Sequence, residues 1–221
     1  MRLVHVVGDL SEDEAILSPS TVCAGTEAVY KLKANDNGSP SSNTLYFLSD
    51  ITPIISSPTA YDEDVKSVGP SFLVAWVICA FINGRDDAVP ASDNLPPPLT
   101  KPHVLPKPPS PGSVIVINGS TPRPDKEQDY HDWYDQEHGG KLTLVPGWNN
   151  SRRYALVKAY GDIETARFYG FNYYNAENGL GGPEWKAGVT EWTMRIRSNA
   201  AKPNIRRVWK VVSTEASKLV P

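Results

Sequence analysis

WYDQEHGGKLTLVPGWNNSRRYAL, residues 133–156, passes from a charged helical pattern through two glycines into a strand. Upstream, Pro124-Asp125 followed by Gln128 reads as a helix start with Asp125 as N-cap. The helix then covers HDWYDQEH, 131–138, and Gly139-Gly140 is expected to supply the left-handed positions that stop it. Downstream, RYALVK (153–158) alternates as a strand. ARFYGFNYY (166–174) is an aromatic-rich second strand, and Gly182-Pro183 opens another helix, since proline is favoured at the first helical position. With SVIVING (113–119) in front and RRVWKVV (206–212) behind, the order is β-α-β-β-α-β. That is a ferredoxin-like α+β unit with one sheet face left bare.

Nine of the twenty prolines lie between Pro90 and Pro111. Proline lacks a donor and forces its predecessor out of the helical region, so 89–111 reads as an extended linker. It separates residues 1–88 from 112–221. The first part carries a fainter echo of the second, offset by about 125 residues. Tyr30-Lys-Leu32 parallels Tyr154-Ala-Leu156, TLYFLSDI (44–51) parallels the strand at Phe168-Tyr169, and Ser57-Pro58 before Tyr61 parallels Gly182-Pro183 before Trp185. Between Arg2–Val7 and Tyr30 no counterpart of HDWYDQEH exists, so the first repeat reads as degenerate. Two bare sheet faces can close on each other as a barrel. The second sheet would come from the chain's own first half, as an intrachain pseudo-dimer, or from a homodimer partner.

A net charge of −3 offers no basic surplus for a phosphate backbone, which argues against nucleic acid. The apolar run Ser71–Ile82 has twelve residues, short of the ~20 that span a bilayer, and is expected to be a buried element rather than a membrane anchor. The N-terminus turns acidic within nine residues and offers no long apolar stretch ending in small residues, so no secretory signal is expected. Two cysteines cannot build a disulfide framework and fit a reducing compartment, with the cytoplasm as the expected location.

On a regular helix His131, Asp135 and His138 share a face, with Tyr134 four residues before His138. One face then holds an acid, a base and a phenol, while Tyr130, Trp133 and Glu137 form the adjacent stripe. The last-turn carbonyls and Asp135 favour protonated His138, and burial opposes them, which would poise it near neutral pH. The plain alternative is a histidine that caps the helix end. Metal binding is not expected, because residues seven apart lie about 10 Å apart along the axis. Arg152 and Arg153 open an alternating strand, so one can face inward and hold a carboxylate, or else pair with Asp135 or Glu137. Arg206 and Arg207 pose the same choice on weaker grounds. Trp133, Trp148, Tyr169 and Phe171 are candidate walls for a flat ligand, although such rings more often fill cores.

The ordered string WYDQEH…VPGW…SRRY, with NGLGGPEW (178–185) and RRVW (206–209), resembles the EthD-type members of the dimeric α/β-barrel superfamily, especially fungal two-repeat members. Gly139-Gly140 stands where an Ile-Pro-like pair is more usual. The resemblance implies a small, mostly apolar barrel cavity and activity without a metal or organic cofactor on polyketide-like or aromatic substrates of secondary metabolism. The reading is a lyase, cyclase or isomerase in which His138 moves a proton. Asp135 would orient it, Tyr134 or a strand tyrosine would steady an oxyanion, and Arg152 or Arg153 would anchor an acid. The alternatives are a cofactor-free monooxygenase or oxidoreductase acting on an aromatic, and a non-catalytic binding or scaffold protein.

Overall fold

Strand β5 (Val114–Ser120) shows how the alternation sorts the chain into layers. Ile115 and Ile117 turn one way into a core shared by both halves, whereas Val114 and Val116 turn the other way under the helices. The structure is a computed structural model that describes residues 2–7 (as backbone), 25–68, 73–88, 96–100 and 107–216. The interval in which the first repeat was read as lacking a helix, 8–24, lies outside the described residues, as do parts of the Pro-rich segment.

The first half supplies β1 (Arg2–Val7), β2 (Thr26–Ala34), β3 (Ser42–Leu48), α1 (Thr52–Ser56), α2 (Ala60–Val68) and β4 (Leu73–Arg85). After β5 the second half supplies α3 (Glu127–Trp133), one π-helical turn (Tyr134–His138), α4 (Gly139–Thr143), β6 (Trp148–Tyr160), β7 (Phe168–Tyr174), α5 (Pro183–Ala187), α6 (Glu191–Ser198) and β8 (Ile205–Ala216). The strands close into a barrel in the order β1-β3-β2-β8-β5-β7-β6-β4. Each half keeps its strands in the same spatial order, fourth-first-third-second, and two antiparallel seams, β4 on β6 and β2 on β8, join the halves. The second sheet therefore comes from the same chain. Closure leaves no exposed strand edge. The apolar run 71–82 is mostly β4, paired with both β1 and β6.

Inside the barrel, Tyr30, Phe47, Tyr154, Tyr169, Phe171 and Trp209 pack with aliphatic residues of both halves. Phe171 is fully buried, and a ring so placed stabilises by roughly 1.5–3 kcal/mol. On the outer face of β4, Trp76 and Ile78 pack with Ile54 of α1 and with residues of α2, and Trp76 Nε1 donates to buried Asp64 at 2.7 Å. The Pro-rich segment is held against β4, where Gly84 and Leu99 exchange backbone hydrogen bonds of 3.0 and 2.7 Å.

Two local expectations are corrected. Asp125 is not a cap: it sits within a 3-10 turn, Pro124–Lys126, that precedes α3, and α3 carries no side-chain cap. Gly139-Gly140 do not stop the helix either. Gly139 has φ −58°, and its N–H donates to Tyr134 O, five residues back, which defines the π turn. A Cβ on Gly139 would lie 2.7 Å from that carbonyl, so the glycine admits the wider turn rather than ending it. The left-handed position comes at Gly147, φ 78°, just before β6. Gly139→Ala is expected to lower stability by about 1–2 kcal/mol, the overpacking cost outweighing alanine's helix preference. A thermal midpoint equal to or above that of the parent chain would refute this account of the glycine.

Candidate active site in the sheet–helix cleft

Because β6 alternates, Arg152 and Arg153 part company. Arg152 pairs in register with Phe171 and faces the barrel core, where Nη1 meets Asp86 at 2.6 Å and the Ser151 carbonyl at 2.9 Å. Arg153 pairs with Gly170 and faces the helices. Its Nη1 donates to Asp135 Oδ1 at 2.7 Å, its Nη2 donates to His131 Nδ1 at 2.8 Å, and its guanidinium lies 4.2 Å from the Tyr134 ring centroid. Burial, then the Arg153 charge, lowers the His131 pKa. Both arginines are thus engaged by protein groups, the ion-pair outcome rather than substrate anchoring.

The π turn also rearranges the helix face. A regular helix would align His138 with His131 and Asp135, but the extra residue per turn sets the His138 ring on Trp133, with centroids 4.1 Å apart and planes at 17°. Asp135 points elsewhere, accepting from Arg153 and from Asn83 Nδ2 at 3.0 Å, while its backbone carbonyl accepts from Arg85 at 2.9 Å. It makes no hydrogen bond to His138, which corrects the expectation that it orients the imidazole. Tyr134 stays beside His138, edge-on at 5.5 Å.

Trp133, Tyr134 and His138 line a cleft of about 110 Å³ between the helices and the outer sheet face. Its floor is Asn118, Ser120 and Gly170 from β5 and β7. Its other walls include Tyr130, Leu142, Trp185, Gly188, Thr193 and Ile196. Gly170 is required there, since a Cβ would lie 2.8 Å from the Tyr134 hydroxyl. Three other expected wall residues lie elsewhere. Tyr169 and Phe171 belong to the barrel core, and Trp148 packs with Val114, Val145 and Tyr174 under the helical layer, its Nε1 3.4 Å from Asn172 Oδ1. The cleft is thus between sheet and helices, not the barrel cavity that the resemblance implied.

A hydrogen bond to the Gly188 backbone favours protonated His138, but burial outweighs it, helped by the charges of Arg197 and Arg153, and the pKa is pushed down to about 3. Nδ1 has no partner and is closed to bulk solvent, so the Gly188 bond belongs to Nε2. That fixes a neutral tautomer whose Nδ1 lone pair no protein group uses. The support is built: Trp133 Nε1 donates to Thr193 Oγ1 at 3.2 Å, Thr193 Oγ1 donates to Gly188 O at 3.1 Å, and Thr190 caps α6 by accepting from Thr193 N. Thr190 also donates to Glu137 at 2.7 Å, tying α6 to the π turn. Burial raises the Tyr134 pKa to about 12, so the phenol keeps its proton, and its oxygen accepts from Asn172 Nδ2 at 3.4 Å. Among the described residues no group of three or more His, Cys, Asp or Glu is arranged to hold a metal ion, and no helix is long and apolar enough to cross a membrane.

Asn118 and Ser120 had a signal in the sequence: along VIVINGS the outward positions change from valine to polar side chains. Gly188 and Thr193 had none, because their roles arise only when α6 folds against the π turn.

No family model and no curated protein matches the sequence. Among solved structures, an anthrone oxidase-like protein superposes with TM-score 0.63 at 13 % identity, covering 98 % of this chain and 93 % of its own. A candidate monooxygenase from Fusobacterium nucleatum subsp. nucleatum gives 0.49 at 9 % identity over 98 % and 94 % of the two chains. Another from Lactobacillus acidophilus gives 0.45 at 11 % over 87 % and 80 %. The first of these likenesses is one of fold, and it is the fold that the strand order shows: a dimeric α/β-barrel-type architecture, closed here within one chain.

Proposed function

We propose that the chain is a cofactor-independent enzyme in which neutral His138 removes a proton from an electron-rich aromatic or polyketide-like substrate in the sheet–helix cleft, and O2 then oxidises the resulting carbanion. The carrying observation is the unpartnered Nδ1 of His138, fixed as an acceptor by the Gly188 bond on the opposite nitrogen; since Nδ1 is closed even to water, the cleft has to widen around the ring as substrate enters. Oxidation, rather than proton transfer alone, is favoured by the oxidase-like protein that shares the fold, an argument by analogy. The EthD-type kinship is part of the same proposal.

For a methylene between aromatic rings the chemistry balances as follows. Nδ1 takes a C–H proton, the carbanion passes its electrons to O2 and forms a C–O bond, and the proton returns to give a hydroperoxide. Loss of water, which removes the second hydrogen, leaves a ketone. The Tyr134 hydroxyl would donate to an oxyanion as it develops. Trp133 and Trp185 would hold the flat ring.

The same nitrogen could serve a lyase, cyclase or isomerase, and an oxygen electrode separates the two. One O2 is expected per turnover. Product formed at an undiminished rate without O2 would return the reaction to simple proton transfer, and a ligand that binds and emerges unchanged would leave a binding protein.

A further inference from the structure

We propose that Arg197, Lys202 and Arg206 form a carboxylate-binding subsite at the mouth of the cleft, so that the substrate is an acidic aromatic whose anion lies outside while its ring lies within. The inference rests on the reading of the cleft as a substrate site and adds the class of substrate.

The cleft opens into a wider groove of about 540 Å³, and the two share Asn118, Arg197, Asn204 and Arg206. Ala200, Ala201, Lys202 and Pro203 complete the groove. Neither recess has an aspartate or glutamate in its lining, although the chain carries 25 acidic against 22 basic residues. The positive field here is therefore local, and a cleft lined by one sign of charge concentrates the opposite ion.

These cations are also unspent. Among the described residues Arg195 is held by Asp129 at 2.7 Å, Arg207 by Asp36 at 3.0 Å, Arg153 by Asp135 and Arg152 by Asp86. Among the described residues Arg197, Lys202 and Arg206 have no carboxylate partner. Arg206 lies 5.7 Å from the Trp185 ring centroid, which leaves its N–H edges for a bidentate acceptor. Arg197 stands in the last turn of α6, where a cation also favours the helix, and its side chain spends one donor on a long bond from Nη1 to Met194 Sδ at 4.0 Å, leaving the others for an anion.

The arrangement answers a difficulty in the chemistry. A histidine held near pKa 3 is a weak base, and Arg197 is one of the groups that hold it there. A carboxylate on Arg197 would offset that charge and strengthen the base when substrate arrives.

Isothermal titration of the full chain with 2-naphthoate and with 2-naphthamide tests the subsite without turnover. The acid is expected to bind about 10-fold tighter at low salt, the sum of a few exposed charge contacts. Arg197→Gln with Arg206→Gln should remove that preference while leaving the amide's Kd unchanged, and both residues are exposed, so the fold should tolerate the change. Equal Kd values, a preference that survives the double variant, or failure of both probes to bind would overturn the proposal. Preferential acid binding by a chain that turns nothing over would keep the subsite and remove the enzyme. Oxidation of neutral aromatics with no acid preference would do the reverse.

Discussion

His138→Ala is expected to lower kcat by about 10²–10⁴-fold, the usual worth of a positioned proton acceptor, while the chain stays folded. His138→Gln should be as inactive, since its amide can still donate to Gly188 but offers no basic nitrogen. Circular dichroism would confirm that either variant keeps its sheet, and full turnover by a folded variant would remove the assignment. The pH profile gives a second check. With His138 held near 3, the neutral base is present throughout the neutral range, so kcat/KM should show no fall through pH 6.5 and should decline only towards about 3. An inflection near 6.5 that His138→Gln abolishes would show a solvated imidazole instead. Stability follows the same sign: the unfolded chain binds this proton more tightly, so the contribution is fully present above pH 6.5 and is lost as pH falls towards 3. Urea midpoints of the parent chain should drop over that interval more than those of His138→Gln.

Arg153→Met is expected to cost about 3 kcal/mol, read as a lowered urea midpoint at unchanged slope. The side chain is almost fully buried and donates to both Asp135 and His131 while lying over Tyr134, so removing it takes a charge-assisted bond from each acceptor, leaves Asp135 to Asn83 and solvent, and loosens the helix from β6. Arg153→Lys should recover little, because a single ammonium cannot reach two acceptors on one planar fork. Asp135→Asn should also destabilise, since it leaves the buried guanidinium without its counter-charge, with His131 still accepting from it. Indifference of stability to Arg153→Met would mean that the network is ornamental.

Much of the architecture was legible because period-two alternation and turn residues carry it. RYALVK and RRVWKVV lie on strands, ARFYGFNYY does so from Phe168 onward, and Pro183 does begin a helix. The site was legible only in part, for a physical reason. The face shared by His131, Asp135 and His138 was laid out on 3.6 residues per turn, and one π turn shifts everything beyond it. The stack of His138 on Trp133, five residues back, is a contact that regular helical spacing does not offer. The parity of Arg152 and Arg153 told that they diverge but not which way, because burial of both faces of β6 erases the polar signal that would mark the outside. Arg197 and Lys202 drew no notice in the sequence because free cations are common on surfaces. Their meaning comes from the acidic residues that stayed away.

The two seams of the barrel join strands of one polypeptide, which makes its closure a unimolecular event. Dilution cannot open it, and the cleft is flanked by helices of the second half alone, so ligand at this site should saturate at one equivalent per chain. A symmetric pair of identical subunits must carry every change twice. A chain that holds both halves can alter one while the other goes on serving as its wall.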